Sequence, residues 1–358
     1  MAFMNNLYTI AIKDLNHILK NTEDLWIKAK ETNFFITGGT SFFGIWMLES
    51  FLWINENLKL NAHATVLTRN YESFKQKFPN FAHSESLRFI TGDIRSFNFP
   101  SENFDFIIHG ASASAESKFL GQDPEERFSV IFDGTRNILR LAVKSKVKSF
   151  LFISSGAVYG KQPFNLLKIE ENYNGSPYID ESNAELGIGK KTSEFLCTIY
   201  AKKHKIDTKI ARCFTFLGPY LQLNIHYAIG NFIRDAMNGG PIVVKGDGTA
   251  VRSYLYASDL MIWLWTILFK GKNCEPYNVG SEEEITIKEL AFKVAEIYKK
   301  LTGTTVEVII QGEPDPTKPV DRYVPSTKKA KTELGLKQTV SIENAIEKTL
   351  KFYLYRKG

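Results

Sequence analysis

The sequence predicts an α/β protein, a doubly wound parallel sheet followed by a smaller C-terminal α/β lobe. Six short apolar runs carry the prediction: "NFFITGG", "ATVLTRN", "LRFITGD", "FDFIIHG", "KSFLFISSG" and "DTKIARCF" alternate with amphipathic stretches from residue 33 onward. Strands covered by helices on both faces read as near-continuous apolar runs, because neither face meets water. The second observation is that the first run ends in a glycine-rich turn that opens an apolar helix. Sheets of this kind hold their ligands at the carboxyl ends of the strands, where that turn lies.

Taken in order, residues 1–32 read as an N-terminal helical extension, with Leu15, Ile18, Leu19, Leu25 and Trp26 at helical spacing and Asp14 and Asn21 at helix starts. Residues 33–215 form the dinucleotide-binding unit, with a return segment near residues 250–280. Residues 216–358 are mainly the second lobe, punctuated by turns at "GPY", "GGP" and "GDGT". The run "MIWLWTILF" is too short to span a bilayer and reads as a buried helix.

A chain of 358 residues, 44% of them hydrophobic, buries a sizeable core. Its net charge of +6 is spread along the sequence, which favours small anionic ligands over a nucleic-acid tract. Cys197, Cys213 and Cys274 are odd in number, far apart and set in apolar runs. That pattern argues against a disulfide framework or a metal site and points to a reducing, cytoplasmic compartment. Neither export nor membrane insertion is expected, since the sequence has no basic leader before a long apolar run.

The turn "TGGTSFFG" sets Gly38, Gly39, Thr40, Ser41, Phe42, Phe43 and Gly44 between a strand and a helix. Missing Cβ atoms let the backbone approach a pyrophosphate, and the helix N-terminus adds amide donors and partial positive charge. At the end of the second strand an acid would select NAD through its ribose 2′-hydroxyl, but "VLTRN" offers Thr68, Arg69 and Asn70. Arg69 suits a bidentate pair with a 2′-phosphate, so NADP(H) is the expected cofactor and NAD(H) the alternative. Asp93, followed by Ile94 in "TGDI", is an acceptor for the adenine amino group or a cap for its own loop.

The ordered motifs "TGGTSFFG", "GDI", "IIHGAS", "GTRNIL", "ISSGAVYG", "GKKTSE", "RCFTFLGP", "VKGDGTAVRSYLYASDL" and "PYNVGS" resemble those of the extended short-chain dehydrogenase/reductase family. That group includes nucleotide-sugar epimerases, dehydratases and reductases. The resemblance runs from residue 33 to about 340. It implies a Rossmann sheet, a nucleotide-linked sugar as substrate, and a homodimer built on helices around residues 124–145 and 190–204. Gly38, Gly39 and Gly44 match the family's nucleotide turn, with Ser41 at its middle glycine, consistent with a side chain that reaches a phosphate. Asp93 matches the adenine contact. Ser155 matches the hydroxyl that bonds the reacting oxygen, and Lys190 the lysine that holds the nicotinamide ribose. Tyr159 falls beside the sugar, Asn231 and Arg252 in the segment that wraps the diphosphate, and Arg322 where a second phosphate-binding arginine is expected.

The family pattern is tyrosine, three residues, lysine, and counting back four from Lys190 gives Leu186. A substitute proton source is open among Tyr159, Tyr178, Asp180, Glu181, Glu185 and a water held by Ser155 and Lys190. Gly187 and Gly189 stand just before Lys190, although each costs about 1 kcal/mol in a helix interior. A 4,6-dehydratase of the family carries an acidic pair after the serine, where this chain has Gly156 and Ala157. Arg69 and Leu186 together favour NADPH-dependent reduction of a keto group on a nucleotide-activated sugar. The alternatives are a redox-neutral epimerase or isomerase and an NADP(H)-binding sensor or partner protein without turnover.

Overall fold

The computed structural model describes residues 9–112, 121–181, 184–225 and 227–356, so the first residues of the N-terminal extension lie outside it. The six apolar runs become β1 (Asn33–Thr37), β2 (His63–Thr68), β3 (Leu87–Thr91), β4 (Phe106–His109), β5 (Ser149–Ser155) and β6 (Thr208–Cys213). With an edge strand, Pro276–Val279, they form a seven-stranded sheet in the order edge strand, β6, β5, β4, β1, β2, β3. Every neighbouring pair is parallel. Strand order reverses between β1 and β4, which opens a crevice at their carboxyl ends.

The apolar runs are buried on both faces: Phe34, Phe35, Ile36, Ile108, Leu151 and Phe152 are inaccessible or nearly so. Each such side chain contributes about 1.5–3 kcal/mol on leaving water. The helix Ala257–Lys270, which contains "MIWLWTILF", is buried along all but its last residue. Among the described residues no helix is long and apolar enough to cross a membrane.

The N-terminal extension covers this helix. It comprises the helix Ile12–Thr22 and a 3-10 stretch, Glu23–Ala29, whose Trp26 meets the Trp265 ring edge-on at 4.7 Å. Asn21 lies in the last turn of its helix and donates to the His17 carbonyl at 2.8 Å, so it does not start a helix as expected. Asp14 lies in the first turn, but its carboxylate turns inward. It accepts from the Tyr256 hydroxyl at 2.8 Å and pairs with Lys348 of the helix Ile342–Leu354. Glu49, fully buried in the helix Phe42–Asn57, accepts the amides of Thr9 at 3.1 Å and Ile10 at 2.7 Å. Burial outweighs these donors and pushes its pKa up to about 7.

Two helices frame the crevice, Pro124–Ser145 and Ala184–His204. A Cβ on Gly187 would sit 2.4 Å from the Ala157 carbonyl oxygen, and one on Gly189 would sit 3.1 Å from the Ile131 side chain. The second helix therefore lies closer to the turn after β5 than a larger residue at Gly187 allows, and a Cβ at Gly189 would press on its neighbouring helix by a few tenths of an ångström. Close packing accounts for glycines that local helix propensity disfavours. In the second lobe the strand Val251–Ser253 runs between Glu284–Thr286, antiparallel, and Arg322–Tyr323, parallel.

Candidate active site

The crevice has a cofactor end and a reacting end. At the cofactor end the turn leaves no room for a side chain at Gly38 or Gly44: a Cβ on Gly38 would lie 2.6 Å from the Gly110 carbonyl carbon, and one on Gly44 would lie 2.2 Å from that of Gly39. Gly38 also has φ +77°, in the left-handed region that favours glycine. Ser41 caps the following helix, donating to the Gly38 carbonyl at 2.8 Å and accepting the Gly44 amide at 3.3 Å. Its hydroxyl closes the turn, Thr40 precedes it, and Phe42 and Phe43 open the helix. Phe43 packs edge-on against Phe216 at 5.1 Å. A backbone cradle that a Cβ would fill, ending in a helix N-terminus, fits a dinucleotide pyrophosphate.

Arg69 is exposed at the end of β2, and its charge reaches Asp93 at the end of β3. Asp93 is held by Arg95, whose Nε and Nη2 donate to its carboxylate at 2.9 and 2.6 Å. Asp93 also accepts the Arg95 amide at 2.8 Å, so it caps its own loop. Hydrogen bonds from Arg95 hold the Asp93 carboxyl below its usual range. Ile94 is buried, and its side chain lies 2.8 Å from where a Gly134 Cβ would stand.

At the reacting end β5 delivers Ser155 at its last position. Lys190 is buried one helix away, where its ammonium donates to the Ile153 carbonyl at 2.8 Å and lies 4.7 Å over the Phe152 ring. Desolvation lowers its pKa to about 8. Lys191 reaches instead to the Gly175 carbonyl. Ser155 accepts the Ala157 amide at 3.1 Å, and beside it the hydroxyl of Tyr323, outside every sequence motif above, would lie 2.5 Å from a Cβ on Gly156.

The other candidate proton sources are engaged elsewhere or lie at the surface. Tyr159 is buried, its hydroxyl donates to Asn278 at 2.8 Å and accepts from Arg212 at 2.9 Å. Arg212 in turn pairs with Glu194 at 2.7 Å. This network joins the turn after β5, β6 and the edge strand, and it commits the Tyr159 hydrogen to Asn278. Glu185 pairs with Arg127 at 2.6 Å, both side chains nearly buried. Tyr178 is 73% exposed, and Asp180 and Glu181 are exposed as well. Leu186 is half-buried and offers no polar atom.

In the second lobe Arg252 pairs with Asp321 at 2.6 Å and Arg322 with Glu284 at 2.5 Å. Tyr323 is the register partner of Arg252, whereas Arg322 is that of Val251. Alternation along a strand therefore sets the two arginines on opposite faces of the small sheet, with Tyr323 beside Arg252. Asn231, on the helix Ala228–Met237, accepts from Arg234 at 3.1 Å.

Comparison with known proteins places this crevice. The chain is 26% identical over 321 residues to UDP-glucuronic acid decarboxylase 1 of Xenopus tropicalis, covering 89% of this chain and 71% of that protein. It is 29% identical over 338 residues to UDP-N-acetyl-alpha-D-glucosaminuronate decarboxylase of Bacillus cytotoxicus, covering 87% of this chain and 98% of that one. Its fold matches the crystal structure of a dTDP-glucose 4,6-dehydratase of Streptomyces venezuelae with NAD bound, with TM-score 0.75, 24% identity and coverage of 91% and 98%. It matches equally the UDP-glucuronic acid 4-epimerase of Bacillus cereus, with TM-score 0.75, 21% identity and coverage of 90% and 99%. The family model for NAD dependent epimerases and dehydratases covers residues 34–280, a span that includes the glycine-rich turn, Ser155 and Lys190. The chain belongs to the NAD dependent epimerase/dehydratase family, enzymes of the extended short-chain dehydrogenase/reductase type.

Proposed function

We propose that this enzyme reduces a keto group on a nucleotide-activated sugar, with NADP(H) as its cofactor. The observation that carries this reading is Leu186 in the tyrosine position while Ser155 and Lys190 are kept, with Arg69 rather than an acid ending β2. An oxidation that opens a redox-neutral cycle needs a base at the sugar hydroxyl, and leucine supplies none. A reduction needs a donor to the carbonyl oxygen and a pool of reduced cofactor.

In this reading the turn from Gly38 to Gly44 holds the pyrophosphate, Arg69 the 2′-phosphate and Lys190 the nicotinamide ribose. Bound reduced nicotinamide supplies hydride. Ser155 orients the carbonyl oxygen. Arg252 takes the sugar-nucleotide diphosphate in exchange for Asp321, and its face of the small sheet is the one toward the reacting end. The family dimer belongs to the same reading: Phe195, 66% exposed, and Ile199, 40% exposed, lie one turn apart on the helix Ala184–His204. Light scattering at twice the 40.7 kDa chain mass supports that pairing, and a mass of one chain removes it.

A redox-neutral conversion with retained NAD is the second reading, favoured by relatives named as decarboxylases of nucleotide-linked uronic acids. One experiment separates the two. Purified enzyme is incubated with NADPH and a panel of UDP- and dTDP-linked keto sugars and uronic acids, following cofactor absorbance and products by mass spectrometry. Reduction consumes one NADPH per product. Product without net loss of cofactor favours the redox-neutral reading. Binding of NADPH with no product from any member of the panel sinks both.

A further inference from the structure

We propose that Tyr323, carried by the second lobe, is the proton donor to the reacting oxygen, in place of the phenol that Leu186 does not supply. The inference rests on the keto-reduction reading and adds the acid that reading lacks.

Three observations converge on the phenol. Ser155, the residue placed at the reacting oxygen, is near enough to its hydroxyl to draw the phenol pKa down against the effect of burial. A Cβ on Gly156 would lie 2.5 Å from that hydroxyl, so the phenol fills the space a side chain would take immediately after the serine. Glycine at this position, which removes a dehydratase acid, also admits a hydroxyl from another part of the chain. The ring is fixed by Phe214, with centroids 4.7 Å apart, and Phe214 itself would be 2.8 Å from the same added Cβ. Tyr323 is half-buried as a residue, but its hydroxyl end is enclosed between Gly156 and Phe214.

The surroundings suit an acid. Cys213, Tyr227 and Tyr159 are the titratable groups that act on it, and Arg252 is its neighbour on the adjacent strand. Burial pushes the phenol pKa up, which keeps the proton on it at neutral pH. When Ser155 donates its hydrogen to Tyr323, the phenolic hydrogen is left for a ligand. In the step itself the carbonyl carbon gains the hydride and its electron pair from the reduced nicotinamide. The carbonyl π pair takes the phenolic proton, the keto group becomes an alcohol, and the phenolate recovers a proton from solvent as product leaves.

Two measurements test the assignment. In the first, 3-fluorotyrosine is installed at position 323 and its fluorine resonance followed without cofactor. The resonance is expected to move on Ser155→Ala and on addition of a UDP-linked keto sugar; a resonance indifferent to both overturns the proposal. In the second, Tyr323→Phe is expected to lower kcat by about 10²-fold or more, within the usual worth of a positioned acid. Its melting temperature and NADPH affinity should stay at the wild-type values. The variant then takes its proton from solvent, so its kcat should fall with rising pH between 6 and 8 where the wild type stays flat. Tyr323→Phe with kcat within about threefold of wild type, or with an unaltered pH profile, overturns the assignment while the keto-reduction reading stands. A wild type that reduces no panel member removes that reading, and the donor role falls with it. If Tyr323→Phe does not fold, the fluorine measurement decides alone.

Discussion

The two ends of the crevice are assembled in opposite ways. At the candidate cofactor end seven consecutive residues, Gly38 to Gly44, form one turn, and a Cβ added at Gly38, Gly39 or Gly44 would come within 2.6 Å of a neighbouring atom. At the reacting end the groups that meet come from β5, the helix Ala184–His204, β6 and a two-residue strand near the end of the second lobe. The first kind of site survives only if nothing is added. The second tolerates the loss of a member, because space vacated by one segment is open to a side chain from another. Leu186, Gly156 and Tyr323 read as one such exchange.

Substitutions at each end test that contrast, and the largest effect belongs to the turn. Gly44→Ala sets a methyl 2.2 Å from the Gly39 carbonyl carbon, in contact with backbone that has nowhere to go. It should abolish cofactor binding and lower stability by at least about 3 kcal/mol, the upper end for overpacking. Isothermal titration and urea unfolding measure both. Retention of tight NADPH binding would show that the cradle is not backbone-limited.

Gly187→Ala is the matching test at the reacting end. Helix propensity alone would gain about 1 kcal/mol. The added Cβ meets the Ala157 carbonyl at 2.4 Å, so a net loss of about 1–3 kcal/mol is expected from crowding. A more stable variant in thermal unfolding would mean that the helix shifts freely and that the spacing of Lys190 from β5 is not fixed by this contact.

The smallest effect concerns a group at the rim. Arg69→Ala should weaken NADPH by roughly 10–100-fold, the worth of one charge-assisted hydrogen-bonded contact, while NADH changes by less than about threefold. Fluorescence titrations of the two cofactors decide. Equal losses for both would remove the argument for the 2′-phosphate.

The same contrast explains what the sequence disclosed. β1 to β6 were legible because buried parallel strands have a continuous apolar signature, and the nucleotide turn because its residues are contiguous. Ser155 and Lys190 were legible because each ends or follows a recognisable run, and the structure brings both to the carboxyl end of β5. Tyr323 was hidden in "PVDRYVPST", since a strand of two residues shows no periodicity and nothing local says what it pairs with. The faces of Arg252 and Arg322 were hidden for the same reason: only the register with Val251–Ser253 separates them. Glu185 reads as a free carboxyl in sequence, but Arg127, on the facing helix, pairs with it. Asn21 looked like a cap because side-chain oxygens favour helix starts, yet the chain continues there into a 3-10 turn.

The inward-turned carboxylate of Asp14 has a wider consequence. By holding Tyr256 and Lys348 together it makes the first described helix and the last one neighbours, so the polypeptide runs a closed circuit around its core. A circular permutant that links these two helices and opens the chain within the exposed stretch around Phe164 and Leu167 keeps the order of every strand within the sheet. In such a molecule the second lobe, with Tyr323, would emerge from the ribosome ahead of the nucleotide turn, and the order of synthesis would be separated from the order of assembly.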